Sequence, residues 1–193
     1  DWLRQLLAQG VVSNSAPPEL VAARILALNA AGWLANDDGS EAAFYSESLA
    51  LCRHSGDRWG EAFALRGLSP VSANWNTSEQ TRPNLSASRA IFQEIGDPWG
   101  VALVNFTLGW LQVSDDQHAA AEQSWQEGLA LFRQAGDCWG IAVTLSALGY
   151  LARLYGQYGA AAELTKESQH CFRALGDQAG IVLTTLRLST LAL

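Results

Sequence analysis

Apolar residues return along this chain at helical spacing, in blocks separated by a recurring short polar punctuation. Between Trp139 and Gly176 the pattern resolves into two helices, one from Ile141 to about Tyr155 and one from about Tyr158 to Leu175, with the break at Gly156-Gln157. Leu145, Leu148, Leu151 and Ala152 share one face of the first; Ala161, Leu164, Ser168, Cys171 and Phe172 share one face of the second. The stretch before it repeats the scheme with Leu103, Phe106, Leu108 and Leu111, then Ala121, Trp125, Leu129, Leu131 and Phe132. Helices alternating with short turns pack antiparallel, so the pattern predicts an all-α chain of stacked helical hairpins.

The punctuation is the string G-D-x-x-G. It occurs at Gly56-Asp57-Arg58-Trp59-Gly60, Gly96-Asp97-Pro98-Trp99-Gly100, Gly136-Asp137-Cys138-Trp139-Gly140 and Gly176-Asp177-Gln178-Ala179-Gly180, each copy starting 40 residues after the last. Its chemistry is mechanical. The first glycine can take the left-handed conformation that closes one helix, and the aspartate can accept backbone N–H groups as the N-cap of the next. Arg53, Arg133 and Arg173 each stand four residues before the aspartate, where a cation suits a helix C-terminus. Trp59, Trp99 and Trp139 are expected to wedge between successive hairpins. A phosphate-loop reading fails, because no G-K-[ST] follows and the aspartate carries the wrong sign. The expected organisation is one domain over residues 1–193: a leading helix at about 1–9, repeats at about 19–56, 57–96, 97–136 and 137–176, and a trailing helix at about 177–193.

Composition narrows the function classes. Hydrophobic residues make up 49% of the 193, enough to bury a substantial core. Twelve basic against 19 acidic side chains leave a net charge of -7, which repels a phosphate backbone, and the single lysine, Lys166, provides no polybasic patch. Nucleic acid and anionic membranes are therefore not expected partners. The apolar runs are interrupted well before the ~20 residues a membrane span requires. Cys52, Cys138 and Cys171 are odd in number and lack Cys-x-x-Cys spacing, which points to a reducing, cytoplasmic setting and away from disulfides or zinc. The chain opens at Asp1 directly into a helix-like stretch and contains no methionine, so it is expected to be a piece of a longer polypeptide.

Inside the helices, Leu148-Gly149, Ala152, Gly156, Tyr158 and Ala161 follow the L-G…A…G-x-Y-x-x-A scheme of tetratricopeptide repeats. Leu108-Gly109 and Ala121 repeat it with His118 in place of the tyrosine, and Ala31-Gly32-Trp33-Leu34 begins it in the first unit. The chain resembles that family over nearly its whole length, which implies a right-handed superhelix of antiparallel hairpins with a 40-residue period. Glu47-Ser48-Leu49-Ala50-Leu51-Cys52-Arg53 and Glu127-Gly128-Leu129-Ala130-Leu131-Phe132-Arg133 are similar to repeats in the C-terminal sensor regions of large bacterial signalling ATPases, including LuxR-type and maltose-activator-like transcription regulators. The resemblance implies a regulatory, non-catalytic scaffold that binds a protein or peptide, such as the nucleotide-binding module of its own polypeptide. The alternative it leaves open is a sensor for a small-molecule inducer.

In such an array the first helix of each pair lines the concave face. Counted from the Leu-Gly landmarks, that face should carry Asn29, Trp33 and Asn36, then Phe63 and Arg66, then Phe106 and Trp110, then Ser146, Tyr150 and Arg153. Trp33, Trp110 and Tyr150 share one repeat position, and aromatic rings beside Arg and Asn can hold a peptide or a polar ligand. The other reading is that the rings pack between hairpins. The second unit departs from the rest. Pro70 should end or kink its first helix, a polar stretch carrying Trp75 should form a long loop that is either a drifted, solvated connection or a lip available for contact, and the next helix should start around Asn84, after Pro83. His54, His118 and His170 are dispersed and lack metal-ligand spacing, and Asp37-Asp38 and Asp115-Asp116 fall at interhelical turns, where acids suit the start of the following helix, so no catalytic residue, cofactor or metal is expected. The apolar trailing helix, Ile181 to Leu193, is a candidate surface for self-association.

Overall fold

The computed structural model describes residues 16–35, 41–69 and 80–191, and among them all regular structure is α-helical. The helices are α1 (Pro18–Leu34), α2 (Glu41–Ser55), α3 (Arg58–Gly67), α4 (Thr81–Glu94), α5 (Pro98–Ser114), α6 (His118–Ala135), α7 (Cys138–Leu154), α8 (Tyr158–Leu175) and α9 (Gln178–Leu191). They fall into two compact units, Asp1–Gly100 and Val101–Leu193. The expected leading helix at 1–9 lies outside the described residues.

In the first unit α1 packs on α2, α2 on α3 and α3 on α4. Val21, Ile25, Leu28 and Ala31 of α1 close a core with Leu51 and Cys52 of α2. In the second unit α6 packs on α7, α7 on α8 and α8 on α9. There the core gathers Val113, Ala121, Trp125, Leu145, Leu148 and Leu151.

The joints recur in detail. Gly56, Gly96, Gly136 and Gly176 all have positive φ, between 69° and 78°. At each, the amide of the following aspartate reaches back five residues, to the carbonyls of Cys52, Phe92, Phe132 and Phe172 at 2.9–3.0 Å. That bond, with the glycine amide bonded three residues back at the last three joints, is the Schellman closure of a helix end. The aspartates then cap the next helix. Asp57 accepts from Gly60 N at 2.8 Å and Asp177 from Gly180 N at 3.1 Å. Asp97 and Asp137 each accept from two amides, those of Trp99 and Gly100 and those of Trp139 and Gly140. This capping starts α7 at Cys138, three residues before the apolar pattern places it.

The second glycine of the string has a separate cause. A β-carbon built on Gly100, Gly140 or Gly180 would collide with the ring of Phe92, Phe132 or Phe172, and one on Gly60 would lie 2.6 Å from Cys52 Sγ. The closing helix thus presses its last buried side chain against the start of the next. Buried serines peg the other helix pairs, those within a hairpin: Ser88 Oγ of α4 donates to Ala62 O of α3 and Ser168 Oγ of α8 to Ala142 O of α7, both at 2.7 Å. Gly128, the matching position in α6, approaches Ala102 O so closely that a β-carbon would stand 3.3 Å away.

The second unit of the repeat departs where the sequence does. α3 ends at Gly67, three residues before Pro70. α4 starts at Thr81 rather than Asn84, with Pro83 inside its first turn. Proline is tolerated there because the amide it lacks has no intrahelical acceptor in the first turn.

Candidate functional site

Each compact unit carries one cluster of aromatic rings and guanidinium groups, built mainly from the residues that the repeat register predicts. In the first unit α1 presents Asn29 and Trp33 one turn apart, and α3 presents Phe63 and Arg66 one turn apart. The Arg66 guanidinium lies 4.9 Å from the ring centroids of both Trp33 and Phe63, a double cation–π contact. Trp33 is 41% exposed, whereas Phe63 and Asn29 are buried. Tyr45 of α2 sits beneath, buried, in space that only the missing side chains of Gly32 and Gly67 leave open. Burial raises the Tyr45 phenol above its ordinary value, although the hydrogen-bonded Arg66 opposes that rise. Burial likewise lowers the Arg66 guanidinium, with Tyr45 as its counterweight.

Two donors in this cluster are buried and lack an acceptor among the described residues: Arg66 Nε and Asn29 Nδ2. The amide oxygen of Asn29 is occupied, accepting from Ser48 Oγ at 2.7 Å. The rings extend into a column. Trp33 and Phe63 lie 6.0 Å apart, Phe63 and Trp59 stack at 5.1 Å, and Trp59 and Trp99 stack at 6.3 Å. Trp59 Nε1 also donates to Asp97 Oδ2 at 2.8 Å, so the aspartate that caps α5 holds the tryptophan of the preceding joint.

In the second unit the fully buried Trp125 of α6 lies where Gly109 leaves room, its Nε1 donating to Phe106 O at 3.0 Å. Trp110 meets Trp125 edge-on at 5.0 Å, Phe106 edge-on at 6.4 Å and Tyr150 at 5.7 Å. These rings pack on one another, as the inter-hairpin reading expects, and Trp110, Phe106 and Tyr150 remain half-buried. Arg153 lies 5.6 Å from the Tyr150 centroid and Arg187 of α9 lies 5.7 Å from it. Ser146 is buried, and Arg187 Nη1 donates to both its carbonyl and its hydroxyl. Arg187 is the residue that register counting missed: its repeat equivalents are Thr107 and Ala147, which carry no charge. Asn36 and Trp75 lie outside the described residues.

Other chemistry is sparse. Among the described residues no three His, Cys, Asp or Glu side chains gather where a metal could sit. His118 packs edge-on against Tyr155, while His54 and His170 are exposed. The first unit holds a cleft of about 490 Å³ beside Pro18, Val21, Ile25 and His54, and the second a smaller one of about 230 Å³ beside Gln126, Leu148 and Tyr155; neither includes a predicted site residue. No helix of the described residues is long and apolar enough to cross a membrane. No family model matches the chain, and no curated protein matches it.

Proposed function

We propose that this chain is a non-catalytic interaction scaffold: tetratricopeptide-like hairpins with a 40-residue period, stacked in a right-handed superhelix, forming the regulatory region of a bacterial signalling ATPase or transcription regulator in the cytoplasm. The observation that carries the reading is the pair of aromatic–guanidinium clusters. Planar rings next to arginine give large contact area at low entropic cost and dominate binding energy at protein interfaces. The preferred partner is a peptide or protein segment, with the nucleotide-binding module of the same polypeptide as the first choice. The test is a calorimetric titration of this chain with that module, using Trp33→Ala, Arg66→Ala and Trp110→Ala. Loss of one anchor that the partner covers is expected to weaken binding about tenfold or more. Wild-type affinity in all three variants counts against the clusters as the contact surface.

A second reading is favoured by one feature, the two buried donors at Arg66 Nε and Asn29 Nδ2. They suit a small polar inducer that brings its own acceptors. Such a ligand raises the melting temperature by mass action and alters tryptophan emission. A metabolite panel that moves neither removes this reading.

A further inference from the structure

Four arginines of this acidic chain pair with carboxylates: Arg24 with Glu47, Arg53 with Glu61, Arg58 with Glu61 and Glu94, and Arg133 with Glu167. Arg153 and Arg187 do not. Both guanidiniums lie against the one Tyr150 ring, at 5.6 and 5.7 Å, and neither has an acidic partner among the described residues. Arg187 is half-buried and held in place by the backbone and hydroxyl oxygens of Ser146 through a single nitrogen, Nη1, which leaves its Nε and Nη2 donors unassigned. Arg153 is exposed and uses none of its donors in a hydrogen bond among the described residues. Two like charges on one ring repel each other, and the Arg187 guanidinium is lowered by burial and, more weakly, by Arg153. Folding tolerates the pair without neutralising it, in a chain with 19 acidic residues available to do so.

We propose that Arg153 and Arg187, ordered on Tyr150, form a site for a phosphate monoester dianion. This rests on the proposed reading of the two aromatic–guanidinium clusters as contact surfaces and names the chemistry that the second-unit cluster takes. The charges balance: two fixed guanidiniums meet a group carrying about -1.5 to -2 at neutral pH. The geometry also suits it, since an arginine fork pairs with two oxygens of one phosphate and leaves a third for the second fork. A lone carboxylate has one negative charge and two oxygens, and leaves one guanidinium unmatched. The source is either a small phosphorylated metabolite or a phosphorylated side chain of a peptide, and the two share this chemistry.

The test is a titration at constant ionic strength, followed by tryptophan emission because Trp110 lies beside Tyr150, and by calorimetry. Probes are inorganic phosphate, glycerol 3-phosphate, a phosphoserine hexapeptide and two carboxylate controls, acetate for a lone carboxylate and succinate for a dianion without phosphate. Saturable binding of at least one ester, tighter than inorganic phosphate, is expected, with about tenfold loss on Arg153→Gln and on Arg187→Gln. Arg153→Gln is the safer variant because its side chain is exposed; Arg187→Lys keeps the charge while removing the fork, and should lose part of the affinity. Whichever ester binds more tightly identifies the source. Binding should fall as the pH drops through about 6, where the dianion takes up a proton. The proposal is overturned if no phosphate probe saturates, if succinate binds as tightly as the esters, if the esters bind no better than inorganic phosphate, or if both glutamine variants keep wild-type affinity. Those failures leave the Arg66 and Trp33 titrations with the nucleotide-binding module untouched, so the two readings fail separately.

Discussion

At the scale of single residues, Asp116 is out of place in an informative way. It has φ 58° in the turn that closes α5, where its counterpart 40 residues on is Gly156 at φ 70°. An L side chain in that region is strained by roughly 1 kcal/mol, less for Asp than for most residues. Asp116→Gly is therefore expected to stabilise the protein modestly, by about 0.5 kcal/mol after the entropy of the freer unfolded chain is counted, read as a rise in the urea midpoint. Cys52 gives a pH prediction. It is fully buried, and burial pushes its thiol from 9.0 up to about 11. The folded state then holds a proton that the unfolded state releases. Cys52 thus contributes stability that is complete below pH 9.0 and lost as pH climbs toward about 11. Cys52→Ala should flatten that part of the stability curve. Native-state alkylation near pH ~8 should mark the exposed Cys138 well before Cys52, and mass mapping that finds Cys52 first contradicts the packing.

At the scale of elements, Asp97 does more than its repeat counterpart Asp57. Asp57 accepts one amide, whereas Asp97 accepts two and also receives the Trp59 indole N–H. Removing a cap costs about 1 kcal/mol, and stranding a half-buried donor adds about another. Asp97→Ala should therefore destabilise by about 2 kcal/mol and Asp57→Ala by about 1 kcal/mol, both measured by urea unfolding. Equal losses would show that the Trp59 bond contributes nothing. Helix boundaries of this kind were legible in the sequence, because a left-handed glycine and a capping aspartate leave marks at fixed spacing. The start of α4 was not legible, since Pro83 reads as a break when it is in fact a first-turn residue.

At the scale of the whole molecule, the sequence carried the helical class and most members of each cluster, because the repeat register transfers a position from one hairpin to the next. It could not say how deep each side chain lies: Asn29, Phe63 and Ser146 share the predicted face with Trp33 and Arg153, yet they are buried and those two are exposed. Depth depends on what neighbouring helices bring, which register counting does not see. Arg187 was invisible for a related reason, as its repeat positions hold Thr107 and Ala147. The buried serine bonds, Ser88 to Ala62 and Ser168 to Ala142, have a mechanical consequence. A helix pinned to its partner's backbone away from the turn resists sliding along it, since a slip of one residue breaks a bond made by a fully buried hydroxyl. Such a pair behaves as a lever rather than as a telescope, and a ligand pulling on one helix moves the other by the same amount.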